Sequence, residues 1–165
     1  MVLLIGYGNT LRRDDGAGVA LAGLVARGAG SGAKLIEVPQ LLPELAEELA
    51  APGVTGVIFC DARPADVTDG EPVRLSRISP AWGGNSLGHH GSPEEILAIA
   101  GTLYGAAPPA WLVTVAGDDF GHGEGFSPEV HGALATAERL VRALIAECRA
   151  ERLIPPAPPA AAPRA

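Results

Sequence analysis

The sequence predicts an α/β fold: a single domain built on a twisted, mainly parallel five-stranded sheet with helices on both faces. Three observations carry that expectation. Five apolar, β-rich runs alternate with segments of helical period, the pattern of a sheet whose strands are joined by helical crossovers. A length of 165 residues suits one domain around one core. Acidic and imidazole side chains follow the predicted strands, where open α/β sheets bind their ligands.

The elements follow in order. A first strand over 2–6 rests on the apolar run that begins at Val2 and stops at Gly6, and a helix over 16–28 follows it. Lys34 opens a second strand over 34–38, and a helix is expected over 42–50. Val57, Ile58, Phe59 and Cys60 make the third strand, 55–60, buried on both faces. The stretch 61–72 that follows shows no helical pattern, and a parallel crossover needs about a dozen residues or more. The fourth strand, 72–77, is therefore expected to run antiparallel beside the third, at an edge. Ser92-Pro93 before Glu94 and Glu95 reads as a serine cap with proline in the first turn, opening a helix over 92–104. After a fifth strand at 110–116, Ser127-Pro128-Glu129 repeats the cap signal and opens a helix over 127–151. The folded domain is expected to span 1–153. Residues 154–165, almost wholly Pro and Ala, supply no packing surface and are expected to form a disordered tail.

Composition excludes several classes. With 47% apolar and 19% charged residues, and a mean hydropathy of +0.22, the chain has enough apolar surface to offset its ordering entropy. A formal charge of −7 opposes a nucleic-acid partner, which needs clustered Lys and Arg. Met1 runs straight into an apolar stretch without a basic leader, and nothing approaches the roughly 18 apolar residues of a membrane span. The expectation is a soluble, cytoplasmic monomer without a membrane partner. Cys60 and Cys148 have no CxxC spacing and read as reduced core thiols.

The chemistry should sit past the strand ends. Strand one runs into Gly6-Tyr7-Gly8-Asn9-Thr10-Leu11-Arg12-Arg13-Asp14-Asp15-Gly16-Ala17-Gly18, strand three ends at Asp61, and His89-His90-Gly91 stands just before a helix. A dinucleotide site fails, because Leu11 stands where the third glycine belongs and two acids occupy the helix entrance that a pyrophosphate would need. A phosphorylation-receiver site fails too, since the one lysine, Lys34, opens strand two instead of following strand five. No GxSxG elbow is present, and Cys60 lies inside a strand.

Each acid has a plain structural reading. Asp14 or Asp15 can cap the helix, but an adjacent pair cannot both do so, and the other is free to face the loop. Asp61 can be a turn residue, and His89 and His90 solvated loop residues. Taken jointly, two carboxylates and one imidazole from three strand ends suit a divalent first-row metal and leave a coordination position open for substrate. Either His89 or His90 supplies the imidazole.

Four blocks in order, Gly6-x-Gly8-Asn9-x-Leu11-x-x-Asp14-Asp15-Gly16-x-Gly18, Asp61-Ala62, His89-x-x-x-Pro93-x-x-x-Leu97 and Gly123-Glu124-Gly125-Phe126-Ser127-Pro128, resemble the nickel-iron hydrogenase maturation endopeptidases. The resemblance covers most of 2–145. It implies a single-domain α/β protease that removes a short C-terminal extension from the nickel-containing hydrogenase large-subunit precursor after nickel insertion. It also implies that Asp15, Asp61 and His89 contact nickel carried by the precursor, with no metal held tightly by the enzyme alone. Asp14 would assist as a base or cap the helix. A non-catalytic module that senses nickel occupancy, and a hydrolase with its own zinc, are the competing readings. One departure from the family is the segment Pro39-Gln40-Leu41-Leu42-Pro43-Glu44, where many members carry Gly-Thr.

Overall fold

The alternation of apolar runs and helical segments is realised in the computed structural model, which describes residues 1–29, 32–65, 70–83 and 91–151. In chain order, β1 (Val2–Tyr7) leads through a short 3-10 turn (Arg13–Gly16) into α1 (Ala17–Ala29), β2 (Ala33–Val38), α2 (Leu45–Ala50) and β3 (Gly56–Pro64). Then come β4 (Val73–Ile78), α3 (Pro93–Tyr104), β5 (Ala110–Gly117) and α4 (Pro128–Glu151). The described strands form one sheet in the order β2-β1-β3-β5-β4. All neighbours are parallel except β4, which runs antiparallel to β5.

The fourth strand therefore has the expected direction and the expected edge position, but its neighbour is β5 and not β3. Burial explains the difference. Val57, Ile58 and Phe59 are fully buried, so β3 needs covered neighbours on both sides, and β1 and β5 supply them. β4 carries Arg74, Ser76 and Arg77 and leaves Leu75 exposed, which suits an edge.

Side chains alternate across the sheet and feed two cores. Val2, Leu4 and Ile58 face α1 and α4, where Leu21, Val25, Ala137 and Val141 recur at helical spacing. Leu3, Ile5 and Phe59 face α2 and α3, against Leu49, Ile96 and Leu97. Each fully buried Leu, Ile or Phe in these layers contributes roughly 1.5–3 kcal/mol of transfer free energy. Cys60 and Cys148 are buried reduced thiols, as expected.

The serine caps form. Ser92 Oγ accepts from the Glu95 amide at 3.2 Å while the Glu95 carboxylate accepts from the Ser92 amide at 3.0 Å, a complete capping box. Ser127 Oγ accepts from the Val130 amide at 3.3 Å. Helix α2 is shorter than expected, because Pro43 disfavours helical geometry at Leu42; residues before 45 form turns, with the Leu45 amide donating to the Leu42 carbonyl. No helix among the described residues is long and apolar enough to cross a membrane. The expected tail, 154–165, lies outside the described residues.

Candidate active site

The site opens where β1 and β3 part. Pairing between them ends at Gly6 opposite Cys60, whereas β3 and β5 stay paired through Pro64 opposite Gly117. Asp61, expected just past the strand, lies within it, opposite Thr114. The apolar pattern stops at Cys60, but β5 holds the backbone in place beyond it. Asp61 thus has one neighbour strand on the β5 side and a crevice on the other, at the point where the sheet order reverses.

That crevice is a cleft of about 380 Å³ whose lining includes Tyr7, Asn9, Arg12, Asp15, Asp61 and Gly91. Asp61 Oδ1 accepts from the Ala62 amide at 2.8 Å, and the Tyr7 hydroxyl lies within hydrogen-bonding range of the carboxylate. Burial pushes Asp61 up to about 6 from the ordinary 3.8, against the two hydrogen bonds and with added repulsion from Asp15. The same burial, with the negative charge of Asp61, drives the Tyr7 hydroxyl far above its usual range, so it stays a donor. Asp15 is held more loosely. Its Oδ2 accepts from the Asn9 amide at 3.1 Å, and Arg12 Nη1 stands 3.8 Å away.

Asp14, adjacent in sequence, faces elsewhere. It is fully buried, and Oδ2 accepts from the Asp118 and Asp119 amides at 2.9 and 3.0 Å while Oδ1 accepts from the Ser127 amide at 2.7 Å. Burial works to raise its pKa, but these hydrogen bonds outweigh it and hold the carboxyl below its ordinary value. Asp14 makes no helix cap and is not among the residues lining the cleft. It ties the β1–α1 loop to the β5–α4 loop instead. The Arg13 amide donates to the Gly123 carbonyl, the Gly123 amide to the Leu11 carbonyl, and Arg13 pairs with Asp119 at 2.8 Å. The block 123–128 therefore serves to anchor the loop that carries Asp15.

Glycine sets the close approaches. Gly8 has φ +131, and a Cβ there would strike the Asp15 carbonyl oxygen. A Cβ on Gly18 would meet the Cys60 carbonyl oxygen and lie 2.7 Å from Asp61 Cα, so α1 rests directly on the strand that carries Asp61. Gly18→Ala is expected to push α1 off β3 and to lower stability by about 1–3 kcal/mol, with Asp61 displaced. A denaturant titration of the variant measures this, and an unchanged midpoint would refute the packing argument.

The sequence reading brought Asp15 and Asp61 to one region, and both line the cleft. His89 and His90 lie outside the described residues, and Gly91, the next residue, is on the cleft lining. Among the described residues no three His, Cys, Asp or Glu side chains are grouped to hold a metal. Tyr7 and the Asn9 turn were missed. Their signal was available: a phenol at the last position of strand one, and an Asn whose Oδ1 accepts from the amide two residues on, at 3.0 Å.

No family model and no curated protein matches the chain. Solved structures do. The hydrogenase maturating endopeptidase HybD from E. coli is similar with a TM-score of 0.68 and 20% identity over 88% of this chain and 92% of that one. The [NiFe] hydrogenase maturation protease HycI from Thermococcus kodakarensis KOD1 is similar with a TM-score of 0.62 and 26% identity, covering 89% and 90%. HybD from Thermococcus kodakarensis, also named a [NiFe] hydrogenase maturation protease, gives 0.63 and 20%, covering 87% and 98%. The fold of this chain is thus similar to that of these solved hydrogenase maturation endopeptidases.

Proposed function

We propose that this protein is an endopeptidase that removes the C-terminal extension of a nickel-iron hydrogenase large-subunit precursor after nickel has been inserted. The observation that carries the reading is the pair Asp15 and Asp61 in one cleft at the reversal point of the sheet. Two carboxylates facing one space repel each other, and Asp61 is already strained toward protonation by burial. A cation arriving with the substrate relieves both costs, and oxygen donors joined by an imidazole suit a borderline divalent ion such as nickel. Asp15, Asp61 and His89 are the residues proposed to grip the precursor's nickel, which supplies Lewis acidity at the scissile carbonyl.

Hydrolysis forms a C–O bond to water, breaks the C–N bond and delivers a proton to the leaving amine. The water supplies that proton, and Tyr7, within hydrogen-bonding range of Asp61, orients the carboxylate that meets the ion. Asp14 contributes by holding the loop of Asp15 in place.

The test is incubation with a candidate precursor, loaded with nickel or free of it, followed by intact mass. The expected result is loss of a C-terminal peptide from the loaded form only. Cleavage of the nickel-free form at an equal rate would favour a hydrolase with its own metal. Stable binding of the loaded precursor without cleavage would favour a module that senses nickel occupancy.

A further inference from the structure

Leu11 is 64% exposed, on a loop that holds it there. Its amide donates to Asn9 Oδ1 at 3.0 Å, and its carbonyl accepts from the Gly123 amide at 2.9 Å. The residues that follow are tied down as well, Arg12 by a bridge to Gly123 and Arg13 by its ion pair with Asp119. An exposed leucine means little by itself. Its surroundings give it meaning here. Leu11, Val19, Val38 and Pro39 line a hollow of about 260 Å³ whose floor includes Gly8, a residue without a side chain. Gly8, Asn9 and Pro39 also line the cleft of Asp15 and Asp61, so the two spaces share a wall.

The geometry points to this hollow as the subsite for an aliphatic side chain of the precursor, near the bond cut between Asp15 and Asp61. The inference rests on the endopeptidase reading above. A chain held in the cleft must leave it, and the hollow adjoins the cleft along Gly8, Asn9 and Pro39. Leu11, Val19, Val38 and Pro39 give the lining an aliphatic part, Asn9 and Thr10 are neutral, and among the described residues the one charged residue lining it is Glu37, which disfavours an acidic occupant. Val19 also lines a further trough of about 420 Å³ along α1, with Ala20, Leu24, Phe126 and Leu134 apolar and Arg27 and Glu37 charged. An extended substrate therefore has somewhere to run after its aliphatic residue is seated.

Burial of one Leu-sized side chain corresponds to about a tenfold change in affinity or more. Leu11→Glu is accordingly expected to raise KM for the loaded precursor about tenfold or more while kcat stays within about twofold. Its melting temperature should be unchanged, because Leu11 bonds only through its backbone. Among precursors with single aliphatic-to-Asn changes flanking the scissile bond, one should lose about as much as Leu11→Glu does, and the two changes combined should lose less than the sum of the two. A wild-type KM for Leu11→Glu, or fully additive losses for every precursor change, overturns the subsite. Anisotropy of labelled precursor binding to the wild-type and Leu11→Glu chains separates the two readings. Weaker binding by the variant with no cleavage by the wild type keeps the subsite and removes the endopeptidase; cleavage with equal binding and equal KM does the reverse.

Discussion

Asp61→Asn is expected to lower precursor processing by about 10²–10⁴-fold and, at pH 8, to leave a protein more stable than the wild type. The stability gain follows from the sign of the shift. Asp61 is raised in the folded state, from 3.8 to about 6, so its contribution to stability is fully present below pH 3.8 and is lost as pH rises through 6. Above that, the folded protein carries a buried charge that the unfolded chain holds in water. The difference corresponds to about 3 kcal/mol. Asparagine keeps the shape, removes the charge and must find an acceptor for its amide, so the net gain at pH 8 is expected to be about 1–3 kcal/mol. Urea titrations at pH 4 and pH 8 check it: the two proteins should converge at the lower pH. A variant that is less stable at pH 8 would show that Asp61 is held by favourable contacts and not poised against them.

Asp14→Asn should do the opposite to stability. Asp14 accepts three backbone hydrogen bonds while fully buried, and an amide has only one oxygen to accept them. Its NH₂ group would point at an amide N–H, leaving buried donors without partners. Hydrogen bonds to a buried charge are worth about 1.5–3 kcal/mol, so a loss of about 2–4 kcal/mol is expected near pH 7. That corresponds to a fall in Tm of roughly 5–15 °C. The carboxyl is held below its ordinary value, so its contribution is present above the ordinary carboxylate range and lost as pH falls through the lowered value. The gap between wild type and variant should therefore close in strong acid. Processing by Asp14→Asn should fall through displacement of the Asp15 loop. A variant that melts with the wild type but cannot process would instead assign Asp14 a direct role in the chemistry.

Asp14 and its sequence neighbour Asp15 show what the chain's local pattern could and could not reveal. Strand and helix positions were legible because alternation of apolar residues, serine followed by proline, and acids in the first turn act within a few residues of one another. The five strands, the caps at Ser92 and Ser127 and the edge position of β4 all come from such short-range signals. That one acid of the Asp14–Asp15 pair and Asp61 share one cleft was legible too, since strand ends in a parallel sheet collect on one side. The sequence could not say which of Asp14 and Asp15 faces the cleft. Asp14 is claimed by amides 104 to 113 residues away, and only the packing of the two loops brings those donors to it. Nor could it show that β3 runs on past Cys60, or that β4 lies against β5, because a strand's length and partner depend on where its neighbours end. Tyr7 became part of the site for the same reason: β1 stops beside Asp61, and burial leaves the phenol and the carboxylate as each other's partners. Local propensity decided the elements, while hydrogen bonds and burial between distant segments decided which side chains carry the chemistry.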